Sequence, residues 1–225
     1  MGEREPVITI DGPAGAGKTT VARRLAERLG YRLLDTGAMY RALAWSVAAA
    51  GLPAEDTPEL RRHLDGVDIR IADDRVFVGN EDVTTRIRMP EISALTSRLT
   101  TLAPVREKLT PLQRQRAAGG GVILEGRDTG TVVCPEAEVK FYLDASQEER
   151  ARRRQEELRA RGVRADFAVV FGEIGARDLQ DTTRALAPLR PAPEAISINS
   201  DGLSIEEVVE RMLHEVERRR CCTNS

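Results

Sequence analysis

Short apolar runs and longer amphipathic stretches alternate along this chain. Val7-Ile8-Thr9-Ile10 predicts a short buried strand, bounded by the turn residues Asp11-Gly12-Pro13. From Thr19 onward Val21, Leu25 and Leu29 recur at helical spacing, and Gly30 supplies a stop. A second strand fits Arg32 to Asp35, followed by an Ala-rich helix ending near Gly51. Pro53 and Pro58 mark a linker, and Pro58 suits the first turn of another helix. At Val67 the period drops to two: Val67, Ile69 and Ile71, then Val76 and Val78, predict a small β-hairpin turning at Asp73-Asp74. Two helical segments divided by Pro104 come next. Gly119-Gly120-Gly121 leads into a third buried strand, Val122-Ile123-Leu124; Val139 to Leu143 is a fourth and Ile196-Ser197-Ile198 a fifth.

Ser146 with Glu149, and Ser204 with Glu207, carry the hydroxyl and carboxylate spacing of a capping box. After Ser204, residues Ile205, Val208, Val209, Met212, Leu213 and Val216 form an apolar stripe that must pack on the core. Apolar strands alternating with helices imply a parallel sheet covered on both sides. The expected fold is thus a three-layer α/β domain with a small β insertion.

Composition adds exclusions. With 41% hydrophobic and 31% charged residues among 225, the chain reads as one ordinary globular domain with an insertion. No apolar run approaches the roughly 20 residues of a membrane span, and MGEREPVITI lacks a signal-peptide core. A net charge of −2 provides no basic field for nucleic acid. Cys134, Cys221 and Cys222 make neither a disulfide framework nor a metal spacing, which fits a reducing, cytoplasmic compartment. Only three of the 34 basic residues are lysines: Lys18, Lys108 and Lys140.

One of these lysines stands in a motif. Gly12-Pro13-Ala14-Gly15-Ala16-Gly17-Lys18-Thr19 matches G-x-x-x-x-G-K-[ST] between a buried strand and an amphipathic helix. Such glycines let successive N–H groups turn toward phosphate oxygens at a helix N-terminus. Lys18 would reach the terminal phosphates of a nucleoside triphosphate, the Thr19 hydroxyl could ligate Mg²⁺, and Thr20 closes the segment. No N-K-x-D guanine-reading string occurs, and small proteins of this kind with a second arginine-rich site point to kinases of small metabolites.

Three further segments offer such a site. Leu34-Asp35-Thr36-Gly37-Ala38-Met39-Tyr40-Arg41 predicts a polar turn after the second strand, then a helix opening with Tyr40 and Arg41. Thr36 and Arg41 would lie at the carboxyl ends of the strands, although Arg41 could equally be a solvated helix charge. Glu125-Gly126-Arg127-Asp128-Thr129-Gly130-Thr131 suits a binding rim better than a core. Arg177, Asp181 and Arg184 share one helical face, as either a salt-bridged surface or a phosphate clamp. In residues 148–161 the pairs Glu148–Arg152, Arg152–Glu156 and Arg153–Glu157 support a solvated helix, and a mobile lid is equally compatible.

The runs ITIDGPAGAGKTT, LLDTGAMYR, VREKL, EGRDTGTVV and RDLQDTTRALAPL occur in the order and spacing of the bacterial cytidylate kinases, which this chain resembles over roughly residues 6 to 215. The resemblance implies a five-stranded parallel sheet, an NMP-binding insertion and a short lid. It places the core at 1–35, 118–148 and 190–225, and the NMP-binding region at 36–117 with its β insertion near 66–85. The lid falls near 149–185. It implies transfer of a phosphoryl group from MgATP to CMP or dCMP, by a monomer acting on no nucleic acid and no membrane. Arg41 and Arg127 would hold the CMP phosphate, Ser97, Arg106 and Asp128 would read cytosine, and Arg177 and Asp181 would meet the sugar. Thr36 and Tyr40 join this acceptor set. Lys18, Arg127, Arg177 and Arg184 would be catalytic, with arginines of the 150–154 run around the transferring group. Glu125, aspartate in some members, and Gln180, arginine in some, depart from the pattern.

Such a reaction needs cations rather than a strong base, so His63 and His214 receive no role. The rivals are another small-acceptor kinase, for AMP, UMP or shikimate, and a nucleic-acid module built on Arg152–Arg154 and Arg218–Arg220. Glutamates interleaved at 156–157, 206–207 and 215–217 oppose the second.

Overall fold

A computed structural model describes residues 4–72, 75–160 and 162–223. The chain forms two compact units, Met1–Leu34 with Ala117–Ser225, and Asp35–Arg116.

The first unit is built on a five-stranded parallel sheet. Its strands are β1 (Val7–Asp11), β2 (Arg32–Asp35, ending at the unit boundary), β6 (Val122–Gly126), β7 (Val139–Asp144) and β8 (Ile196–Asn199), in the order β2-β6-β1-β7-β8. β1 and β6 are buried at every position, as central parallel strands must be. Ile8, Ile10, Phe141 and Leu143 meet Val21 and Leu25 of α1 (Lys18–Leu29) and Val209, Met212 and Val216 of α8 (Ile205–Thr223) in one core. Each such side chain contributes about 1.5–3 kcal/mol by leaving water. Ile205, assigned by its spacing to the same stripe, is exposed and lies off the packed face. A satellite core of Ala151, Val170 and Ile174 joins α6 (Gln147–Ala160) to α7 (Phe167–Thr183).

The two predicted capping boxes differ. Ser204 and Glu207 bond reciprocally, backbone N–H to carboxylate at 2.8 Å and backbone N–H to hydroxyl at 3.2 Å. At Ser146 only the hydroxyl half forms, accepting from the Glu149 N–H at 3.2 Å, because the Ser146 N–H is taken by Asp201 at 2.9 Å.

The second unit holds α2 (Thr36–Ala49), α3 (Pro58–Gly66), α4 (Pro90–Leu99) and α5 (Ala103–Ala117) with a small antiparallel sheet. That sheet has three strands, β3 (Ile69–Ala72), β4 (Arg75–Val78) and β5 (Glu81–Asp82), where alternation predicted two. The expected turn at Asp73-Asp74 lies outside the described residues. α2 also begins four residues earlier than expected: there is no polar turn before Tyr40. Asp35 both ends β2 and caps the helix, accepting from the Ala38 N–H at 2.7 Å. The break between α4 and α5 falls at residues 100–102, and Pro104 sits in the first turn of α5, where its missing N–H costs nothing.

Candidate active site

The first unit's site grows from the end of β1. Gly12 has φ 151°, and a Cβ there would lie 1.9 Å from the Leu143 carbonyl oxygen, so only glycine lets the chain leave β1 this way. Gly15 and Gly17 also have positive φ, and Lys18 opens α1. The Lys18 ammonium donates to the Pro13 carbonyl at 2.7 Å and is 5% exposed. Burial and the adjacent Arg127 charge lower its pKa to about 7; Arg177 adds to this, while Glu125 and Asp11 oppose it. The Thr19 hydroxyl donates to Glu125 Oε1 at 2.8 Å. Thr20 is exposed in the first helical turn.

Two arginines of α6 grip the loop's backbone. Arg150 is buried: its Nε donates to the Ala145 carbonyl at 2.9 Å, its Nη1 to the Ala14 carbonyl at 3.2 Å, and it pairs with Asp178 of α7 at 2.7 Å. Arg153 donates to Ser200 Oγ at 3.0 Å and, at the limit of 3.5 Å, to the Ala16 carbonyl, and pairs with Glu149 at 3.0 Å. Both are thus held against the protein, unlike the solvated helix that the i, i+4 pairs of α6 predict, whereas the expected pair Glu148–Arg152 does form and is exposed. Glu157 pairs with Arg154 at 2.8 Å.

Beside this loop the unit gathers cations around carboxylates. Arg127 Nε donates to Asp181 Oδ2 at 2.9 Å, and Arg184 lies 3.6 Å from Asp181 and 3.7 Å from Asp128, all with little exposure. Burial pushes the Asp181 carboxyl up, but Arg127, Arg177 and Arg184 together outweigh it and hold it below the ordinary value. Asp181 and Arg184 are buried and Arg177 part-buried, an interior cluster rather than a solvated surface, although Arg184 lies just past the end of α7 and not on the helical face expected of it. A single π-helical turn at Thr129–Val133 follows Asp128, and its leading N–H groups are taken by Asp11.

In the second unit Arg41 donates to Asp35 Oδ2 at 2.9 Å and is part-buried, so it is fixed rather than free in solvent. Thr36 is buried at the start of α2, and Tyr40 is buried with the Arg106 guanidinium 5.7 Å from its ring centroid. Arg106 Nε donates to the Thr100 carbonyl at 2.8 Å, and Ser97 is part-buried on α4.

A family model described as cytidylate kinase matches residues 8–218. The chain belongs to the cytidylate kinase family. It is 48% identical over 216 residues to a cytidylate kinase of Carboxydothermus hydrogenoformans, covering 94% of this chain and 97% of that protein. It is 46% identical to one of Symbiobacterium thermophilum, covering 96% and 98%. A shikimate kinase from Acinetobacter baumannii, 16% identical, matches its fold with a TM-score of 0.50 over 96% of this chain and 95% of that one.

Sequence reading missed three features of this kinase: the Asp11 carboxylate, the Glu125–Thr19 bond and the inward turn of Arg150. In the sequence Asp11 reads only as a turn residue. The free Lys18 also sets a pH dependence. In the unfolded chain this amine titrates near 10.5, so between about 7 and 10.5 the unfolded state holds more protons and the ligand-free fold gains stability as pH rises. A triphosphate seated at this amine would favour its charged form, so that ATP affinity would then fall as pH rises above about 7, by up to about tenfold per unit. Calorimetry at pH 8 in buffers of different ionisation enthalpy should show uptake of about one proton on ATP binding. Zero uptake would show the amine already charged in the free protein.

Proposed function

We propose that this kinase transfers the γ-phosphoryl group of MgATP to CMP or dCMP, giving ADP and CDP or dCDP, as a cytoplasmic monomer in pyrimidine nucleotide metabolism. The observation that carries the reading is the cluster Arg127, Asp128, Asp181 and Arg184 in the same unit as buried Lys18, whose amine feels both Arg127 and Arg177. One anion-binding loop and one cation-rich acceptor cluster are what joining two phosphates requires.

Residues Gly12, Pro13, Ala14, Gly15, Ala16, Gly17, Lys18, Thr19 and Thr20 are the proposed ATP loop, with N–H groups and Lys18 on the donor phosphates. The Thr19 hydroxyl and Glu125 carboxylate, 2.8 Å apart, are hard oxygen donors that suit Mg²⁺, directly or through water. Bound there, Mg²⁺ supplies charge neutralisation at the β- and γ-phosphates. An oxygen of the acceptor phosphate attacks the γ-phosphorus as the bond to the β-bridging oxygen breaks. Because that oxygen is already anionic, Arg127, Arg177, Arg184 and Lys18 contribute by holding the two anions in line and stabilising the charge as it moves. In the second unit Thr36, Tyr40, Arg41, Ser97 and Arg106 are proposed acceptor contacts; residues 149–185, in the first unit, are the proposed lid.

Cytosine presents an amino donor beside a ring acceptor; uracil reverses both. The Asp128 carboxylate suits the first and opposes the second, leaving polar groups unpaired at about 1–3 kcal/mol each. An ADP-release assay should therefore show kcat/KM for CMP and dCMP about 10–100-fold above that for UMP, with AMP and shikimate weaker still. Equal values for CMP and UMP would defeat the proposal.

A further inference from the structure

Asp11 is buried, and both of its carboxyl oxygens are spent on one turn of backbone. Its Oδ1 accepts from the Thr129 N–H and the Thr129 hydroxyl, each at 2.8 Å, and its Oδ2 accepts from the Gly130 N–H at 2.7 Å. These are the leading N–H groups of the π-helical turn, which no carbonyl within the turn can satisfy. A carboxylate from another strand thus caps that turn. Its partners lie 118 and 119 residues away in sequence.

The geometry allows little slack. A Cβ at Gly130 would lie 2.8 Å from Thr9 Oγ1 and 3.4 Å from Asp11 Oδ2. Asp128 immediately precedes the capped pair, and from its other side Arg127 is tied to Asp181 at 2.9 Å. The Asp128 backbone, at φ −143° and ψ 22°, belongs to neither helix nor strand; these flanking anchors fix its orientation together with the Val132 and Val133 N–H groups, which donate to its carbonyl at 2.9 and 3.2 Å. Burying a carboxylate is costly, and here desolvation pushes its pKa up against the three hydrogen bonds. A neutral apolar pair would hold two strands together with less penalty.

We propose that Asp11 is a specificity-determining positioning residue: by capping Thr129 and Gly130 it fixes the aim of Asp128 at the acceptor base. This rests on the reading that Asp128 meets cytosine. Asp11→Asn keeps the shape but places an amide NH₂ against an N–H donor in either rotamer, so at least one bond is lost and a repulsion gained. The change also removes a negative charge near Lys18, which alters ATP handling. For that reason the decisive quantity is the ratio of kcat/KM for CMP to that for UMP at saturating MgATP. Both acceptors share the donor, so donor effects cancel.

The expected result in the full-length enzyme is a CMP:UMP ratio narrowed about fivefold or more in D11N, mostly through loss of CMP turnover. Thr129→Val removes only the hydroxyl bond and should narrow the ratio about twofold with little loss of folding, which keeps the test available if D11N does not fold. D128N is the companion measurement. If it collapses the ratio while D11N or T129V lowers CMP and UMP equally, Asp11 is merely structural and the inference fails. If D128N leaves the ratio intact, cytosine reading by Asp128 is itself wrong. In D11N/D128N the ratio should match D128N alone, since Asp11 acts through that carboxylate.

Discussion

Replacing Lys18 with arginine lowers kcat/KM for ATP by about 10²–10³-fold, although it preserves the charge. The ammonium is a compact donor seated 2.7 Å from the Pro13 carbonyl in a pocket that leaves it 5% exposed, beside the charges of Arg127 and Arg177. A guanidinium is larger, planar and cannot shed its proton, so it neither fits that recess nor relieves the repulsion by titrating. The chain uses arginine at 31 of its 34 basic positions, and lysine at this one is a choice that the chemistry explains. Steady-state kinetics with a melting curve check the claim. An arginine variant that keeps more than a tenth of the wild-type value would show that charge alone suffices.

Gly12→Ala has the second large effect, on stability. The new methyl would fall 1.9 Å from the Leu143 backbone oxygen at φ 151°, and β7 cannot retreat without losing its pairing to β1. A cost of about 4 kcal/mol or more follows, a large share of the 5–15 kcal/mol that holds such a fold together. At about 2–4 °C per kcal/mol, Tm should drop by at least about 8–16 °C. Gly202→Ala is the control: φ is also positive, at 67°, but nothing lies within 4 Å, so about 1 kcal/mol is expected from the backbone alone. Equal shifts in the two variants would mean that the Leu143 contact is not what excludes a side chain.

What the residues reveal unaided depends on how far apart the cooperating groups lie. The strand–loop–helix context of residues 12–19 is legible because the glycines, lysine and threonine occupy eight consecutive positions between one apolar run and one amphipathic run. The central strands β1, β6 and β7 are legible because each is a short run too apolar for any place but a parallel interior. The strands β2 and β8, half polar and partly exposed at the sheet edges, are legible through their paired leucines and isoleucines. Asp11 is not: its meaning lies in Thr129 and Gly130, and only the pairing of β1 with β6 brings them together. Asp35 misled in a different way, since one residue can close a strand and cap a helix, and propensity treats these as separate events. Glu81–Asp82 is too short and too polar for alternation to detect; it pairs because β4 offers it an edge. Arg150 was hidden by composition, for nothing in a run of arginines and glutamates says which one turns inward.

That inward turn bears on how the donor loop is aimed. A trans peptide is rigid, so fixing its carbonyl fixes the N–H on its opposite side. With Arg150 on the Ala14 carbonyl and Arg153 on that of Ala16, the N–H groups of Gly15 and Gly17 are oriented from behind, before any phosphate arrives. The same arginines belong to α6, and Arg150 is clasped to α7 through Asp178. Any displacement of those two helices re-aims the amide dipoles of the loop, so the proposed hold on a nucleotide would tighten or slacken with helices that need not touch it.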